Sequence, residues 1–214
     1  MATPLHIETF AVGPLQCNCS IIACPDTKEA IIVDPGGDAP EIKRRIAAAG
    51  LTVKYLVHTH AHFDHIGATA ELKRDLNAQI LLHPEDRFLY DNIQMQGQMF
   101  GMALDPTVPV DLNLTDEMNL NFGHQSSVVL HTPGHTPGSV CFHLAGHESH
   151  LFSGDTLFRG SVGRTDLWGG SSEQLMRSIK QRLLPLDDST TIYPGHGPTS
   201  TVWNEKKTNP FLRT

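Results

Sequence analysis

Long apolar runs are missing from this sequence, and nothing in it approaches the ~20 consecutive apolar residues that cross a bilayer. The opening stretch MATPLHIETFAVGPLQCNCS has neither a basic region nor an apolar core, so no secretory signal is read there and a cytoplasmic location is expected. Basic stripes are missing too. The chain carries 16 Lys and Arg against 23 Asp and Glu, a formal charge of −7. Nucleic acid, which binds through clustered cations, is therefore not an expected partner. Cysteine is scarce: Cys17, Cys19, Cys24 and Cys141 show no pair-plus-pair zinc spacing, and buried free thiols in a reducing compartment are expected. No internal repeat or low-complexity linker divides the chain. Residues 1–214 read as one domain with a single sizeable core.

Strand-like segments come first: Ile7–Val12, Ser20–Cys24 and Ala30–Val33, the last closed by the turn cluster Asp34-Pro35-Gly36-Gly37. Ile42, Ile46 and Ala49 at helical spacing, with Gly50 as the stop, predict a helix over 40–49. A strand at 55–57, a helix over 66–76 and a strand at 79–82 follow. Residues 91–112 read as irregular; Met95, Met99, Phe100 and Met102 are expected to fill core gaps, with an apolar flap over a pocket as the alternative. Strands at 128–131, 140–144 and 150–153, a helix at 173–184 and a strand at 190–193 complete an alternation that predicts a layered α/β protein.

Histidine is the abundant residue, thirteen in all, and its spacing is informative. In Thr59-His60-Ala61-His62-Phe63-Asp64-His65, His60 and His62 are two apart, so on extended backbone their rings point to one side. Asp64 and His65 then open a helix, so one short loop presents three imidazoles and a carboxylate to a single volume. Such donors suit zinc, iron or manganese rather than a structural thiolate site. Three further segments repeat the design, each placing a polar residue after an apolar strand and a glycine: Gly134-His135, Gly154-Asp155 and Gly195-His196. Five histidines and two aspartates are enough for two metal ions and too many for one.

The motifs HTHAHFDH, TPGHTPGS, FSGDTLF and YPGHGP, in that order after VDPGGD, resemble the metallo-β-lactamase superfamily across nearly the whole chain. Residues 158–166, FRGSVGRTD, and the tail segment 209–212, NPFL, resemble its single-domain, glyoxalase II-like branch of bacterial hydroxyacylglutathione hydrolases. The resemblance implies an αββα sandwich of two mixed sheets flanked by helices. It also implies two divalent metal ions, zinc first and iron or manganese as alternatives: one on His60, His62 and His135, the other on Asp64, His65 and His196, with Asp155 between them.

The same resemblance implies hydrolysis of S-lactoylglutathione or a related acyl-glutathione thioester by a hydroxide shared between the ions, with Asp64 orienting it and moving its proton. A thiolate leaves with little protonation, which favours a thioester over a lactam. The chain ends eighteen residues after His196, without the C-terminal helical domain that supplies much of the glutathione site in two-domain relatives. Lys206 and Lys207 are the cations within reach of a carboxylate in that tail. A persulfide dioxygenase using one iron, and a lactonase or other small-ester hydrolase, are the alternatives on this fold. Of the remaining histidines (His6, His58, His83, His124, His131, His143, His147 and His150), His58 and His131 are best placed to orient a ligand. Asp34 is expected to cap its turn, and Arg164 and Asp166 to form an ion pair supporting the metal loop. The expected partner is a small molecule; oligomeric state is left open.

Overall fold

The computed structural model describes residues 5–146 and 148–213; His147 lies outside the described residues. The first half forms a mixed sheet in chain order: β1 (His6–Val12), β2 (Cys17–Ala23), β3 (Glu29–Val33), β4 (Thr52–Val57), β5 (Gln79–Leu82) and β6 (Leu112–Asn113). The first two pairings are antiparallel and the rest parallel. Between them lie α1 (Ala39–Ala49), α2 (Phe63–Ile66), α3 (Thr69–Leu76), α4 (Arg87–Tyr90) and α5 (Ile93–Met99). The second half forms β7 (Asn119–Phe122), β8 (Gln125–His131), β9 (Val140–Leu144) and β10 (His150–Gly154). A small hairpin, β11 (Leu157–Phe158) with β12 (Ser161–Val162), and α6 (Ser172–Ser178) precede β13 (Thr191–Pro194), β14 (Ser200–Thr201) and α7 (Val202–Thr208). In the second sheet the order is β14-β13-β10-β9-β8-β7, and β13 joins β10 in parallel.

Successive side chains on a strand face opposite ways, and here both faces are covered, so the central strands read as unbroken apolar runs. Ile22, Ile31, Val57 and Leu81 of the first sheet pack against Val129, Phe142 and Phe152 of the second. Their strand neighbours Ile21, Ile32, Leu56 and Ile80 turn outward under Ile42 and Ile46 of α1 and Leu72 of α3. Beyond the second sheet, Leu130, Cys141, Leu151 and Ile192 lie under Leu175 of α6 and Val202 of α7. Helix, sheet, sheet, helix is the αββα sandwich that the family resemblance implies, and it fits the layered α/β pattern read from the sequence.

Three elements differ from their sequence-based expectation. The helix expected over 66–76 is two, broken at Gly67 and Ala68. A Cβ on Gly67 would lie 2.5 Å from the Gly36 carbonyl oxygen, so packing on the Asp34–Gly37 turn sets the break. The helix expected over 173–184 is α6 followed by a π-helical turn at Ile179–Leu183. The stretch expected to be irregular contains α5, with Ile93, Gln96 and Gly97 buried. Met95, Met99 and Phe100 do not fill the core: they are 50%, 66% and 55% exposed, and only Met102 packs partly inward.

Candidate metal centre

All seven candidate ligands lie on segments that leave strand ends on one rim of the sandwich, Asp64 and His65 on the short α2 and the other five on loops. The first sheet supplies His60, His62, Asp64 and His65, between β4 and α3. The second supplies His135 between β8 and β9, Asp155 after β10 and His196 after β13. Parallel pairing of β10 with β13 sets the last two side by side. The backbone must pass very close here. A Cβ on Gly195 would fall 2.2 Å from Asp155 Oδ1 and 2.7 Å from His65 Cε1, so only glycine fits.

Two groups of donors result. In the first, His60 Nε2, His62 Nδ1 and His135 Nε2 face one another at 3.1, 3.2 and 2.9 Å. In the second, His196 Nε2 lies 3.2 Å from Asp64 Oδ2, and His65 Nε2 lies 3.7 Å from that oxygen. Asp155 faces both groups: Oδ2 is 3.6 Å from His135 Nε2 and Oδ1 is 3.5 Å from His65 Nε2.

The far nitrogens fix the tautomers. His135 Nδ1–H donates to the Arg164 carbonyl oxygen at 2.7 Å, and His65 Nδ1–H to Asp34 Oδ2 at 3.0 Å. His60 Nδ1–H donates to Thr59 Oγ1 at 3.1 Å, whose own hydroxyl donates to Asp34 Oδ2 at 2.6 Å. Lone pairs therefore point inward. His65 Nε2 and Asp155 Oδ1 are buried without a hydrogen-bond partner. Three converging imidazole nitrogens and two buried ligand atoms left without a partner fit cations, and the N/O set suits zinc, iron or manganese.

Electrostatics point the same way. Burial, reinforced by the neighbouring imidazoles, pushes His62 down to about 3 and His60 well below its ordinary value, so both are neutral. Burial works against ionisation of Asp64, yet His65 and His196 beside it hold its carboxyl well below the usual range. His65, though desolvated, is raised well above its ordinary value, the carboxylates of Asp64, Asp155 and Asp34 around it favouring its charged form. Positive charge is favoured at that point.

The Asp34 side chain, expected to cap its turn, instead reaches Thr59 and His65. Its carboxylate also accepts from Thr59 N at 2.7 Å and so orients one histidine of each group. The structure finds other partners for the two histidines expected to orient ligands. His58 Nε2 meets Thr69 Oγ1 at 3.3 Å; His131 Nε2 donates to the Pro137 carbonyl oxygen at 2.9 Å, its ring stacked on His83. Arg164 and Asp166 pair through two bonds of 2.7 and 2.8 Å but are exposed, and it is the Arg164 carbonyl that supports His135. Lys206 pairs with Asp188.

Two supporting residues escaped the sequence reading. Asp86, fully buried, accepts from Ala61 N (2.9 Å), Thr136 Oγ1 (2.8 Å) and Gly138 N (2.6 Å). It ties the His60–His62 loop to the His135 loop, and burial raises its carboxyl above the ordinary value despite these donors. Gln96 of α5 accepts from Phe63 N (3.1 Å) and donates to the carbonyls of Ala61 (3.0 Å) and Leu89 (2.8 Å). Neither belongs to a local motif. For Gln96 the faint signal is a polar side chain on the buried face of a short helix.

Comparison with known proteins places the chain. The sequence model of the metallo-beta-lactamase superfamily matches residues 12–196. Hydroxyacylglutathione hydrolase GloC of Haemophilus influenzae is 39% identical over 213 residues, covering 98% of this chain and 99% of the relative. The solved BLEG-1 B3 metallo-beta-lactamase superposes with a TM-score of 0.91 at 38% identity, over 98% of this chain and 100% of the other. TTHA1623, solved in a di-iron-bound form, gives 0.87 at 40% identity, over 96% and 100%. Sandwich, rim loops and matched sequence agree, and this chain belongs to the metallo-β-lactamase superfamily.

Proposed function

We propose that this metallo-hydrolase is a glyoxalase II-like thioesterase that cleaves acyl-glutathione thioesters such as S-lactoylglutathione at a two-ion centre. His60, His62 and His135 would hold one ion, and Asp64, His65 and His196 the other, with Asp155 shared. The observation that carries this reading is the placement of Asp155 between the two groups of donors, its carboxylate within 3.6 Å of His135 Nε2 and 3.5 Å of His65 Nε2. Zinc is the first choice for the ions; the di-iron form of TTHA1623 makes iron the second. When bound, two such ions supply Lewis acidity that brings the pKa of a water from about 16 toward neutrality and polarises a carbonyl.

The chain's own groups do the rest. Asp64 is ionised and reaches the cleft floor beside His196, where its carboxylate can orient the attacking water and take up its proton. Thr59, Asp34 and the Arg164 carbonyl hold the imidazoles with their lone pairs inward, so no reorganisation is needed at the moment of reaction. Among the described residues lining the cleft, every titratable side chain except Arg164 belongs to the ligand set. No separate acid stands ready for a poor leaving group. A thiolate, with a conjugate acid near pKa 8.5, needs none, and the relative named hydroxyacylglutathione hydrolase is consistent with that choice.

Metal content and S-lactoylglutathione hydrolysis measured on one purified sample test the proposal. About two ions per chain with thioester cleavage is the expected result. His62→Ala and Asp155→Ala should each lose metal and activity together while keeping the circular dichroism of the parent. About one iron per chain, no cleavage, and oxygen uptake with glutathione persulfide would replace the hydrolase by an oxygenase.

A further inference from the structure

The walls of the cleft are more apolar than glutathione or lactate requires. A cavity of about 360 Å³ opens over the site, with His62, Asp64, His135, Asp155 and His196 of the candidate ligands in its lining. One flank is formed by Met99 and Phe100 at the end of α5, the other by Leu167 and Trp168, and Trp168 is 44% exposed. Large apolar side chains gathered around a polar site and left facing solvent mark a surface that a ligand covers.

Both flanks stand at the three-histidine end of the site. Phe100 packs on Phe63, the residue after His62, with ring centroids 4.9 Å apart. The Arg164 carbonyl holds His135, and Leu167 and Trp168 follow three and four residues later. The opposite rim differs. Leu15 lies there, before β2, whose Asn18 side chain is bonded to the carbonyls of Pro194 and Gly197 on either side of His196. Charge is equally uneven. Arg164 is the sole Lys or Arg among the described lining residues, and Asp166 engages its guanidinium through two hydrogen bonds. Glutathione brings two carboxylates and an ammonium, which the apolar flanks cannot match. A lactoyl group is too small and too polar to cover four such side chains.

We propose that the flanks made by Met99 and Phe100 and by Leu167 and Trp168 form an acyl subsite for a bulky apolar or aromatic acyl group, with the thiol portion directed to the Leu15 and His196 side. The inference rests on the thioesterase reading for its chemistry. Water oxygen adds to the acyl carbon, the C–S bond breaks with its electron pair leaving on sulfur, and the products are a carboxylate, a thiol and one released proton. The acyl group contributes binding by removing its own apolar surface and that of the flanks from water.

The test crosses two acyl groups with two thiols: phenylacetyl and acetyl thioesters of glutathione and of N-acetylcysteamine, each rate divided by that of alkaline hydrolysis. A second readout does not depend on turnover. Trp168 and Trp203 are the two tryptophans of the sequence, and Trp203 is exposed on α7, so the Trp203→Phe chain reports Trp168 fluorescence alone. Phenylacetyl should exceed acetyl in normalised kcat/KM by about tenfold or more with either thiol, the ratio falling in Met99→Ala and Trp168→Ala. Phenylacetate, and not acetate, should quench Trp168, and Met99→Ala should weaken that quenching. Equal normalised rates without quenching would overturn the acyl subsite and leave the thioesterase standing. Quenching by phenylacetate with no thioester cleaved would remove the thioesterase and keep the subsite. Neither cleavage nor quenching would overturn both.

Discussion

Replacing Asp86 by alanine removes a buried carboxylate that bonds both the His60–His62 loop and the His135 loop. The carboxylate accepts from two backbone amides, Ala61 N and Gly138 N, and from the Thr136 hydroxyl. In Asp86→Ala the hydroxyl can turn to Ser139 Oγ, 2.8 Å away, but the two amides stay buried with no acceptor. Each orphaned amide costs about 1–3 kcal/mol, so the loss is centred on about 4 kcal/mol. Against a total stability of about 5–15 kcal/mol the variant still folds. Its Tm should fall by roughly 8–16 °C, at about 2–4 °C per kcal/mol for a chain of this size. Metal affinity should drop by about 10–100-fold, because the three facing nitrogens lose the clamp that sets their spacing. Asp86→Asn keeps an acceptor for one set of donors and should fall between. Thermal unfolding of the metal-free protein, with competitive metal titration of the same variants, reads both effects separately. An Asp86→Ala protein with parental Tm and parental metal affinity would refute the reasoning.

Burial lowers His58 from 6.5 to about 4, so the unfolded chain takes up a proton there that the folded chain refuses. Stability is thus full above about pH 6.5 and is lost as pH falls toward 4, by up to roughly 3 kcal/mol. Urea unfolding of metal-free protein at pH 7, 6 and 5 should show a fall in stability, and His58→Gln should lessen it, the lowered His60 and His62 supplying slope that remains. Burial pushes the thiols of Cys17 and Cys141 up to about 12 and about 11, and Cys19 well above its ordinary value. With no exposed surface as well, these three should resist iodoacetamide at pH 8 in the native state and react in urea, as peptide mass spectrometry would show.

The seven candidate ligands could be named from sequence because each follows an apolar strand end, and because His-x-His and Gly-His spacings express local backbone geometry. The sheets were legible for the same reason: both faces of each central strand are covered, so runs such as Ile21–Ile22 and Ile31–Ile32 stand out. Residues acting across long separations were not. Asp86 is 25 positions from Ala61 and Gln96 is 35, and no periodicity links either to the loop it holds. The α5 helix was hidden by Gly97, a poor helix former, at a point where the chain folds back and a Cβ would crowd the Leu104 side chain at 2.7 Å. The methionines nearby were misread because methionine suits a core gap and a ligand-covered surface equally well.

The two sheets share ownership of both donor groups. His60 and His62 come from the first half of the chain and His135 from the second; Asp64 and His65 come from the first, Asp155 and His196 from the second. Neither half carries a complete set for either ion. On the ribosome the residues of the first sheet emerge long before His196 is made, yet they would offer only a fragment of each site. Ion capture as proposed would therefore come last, and a bound pair of ions would certify that both halves had been synthesised and docked face to face.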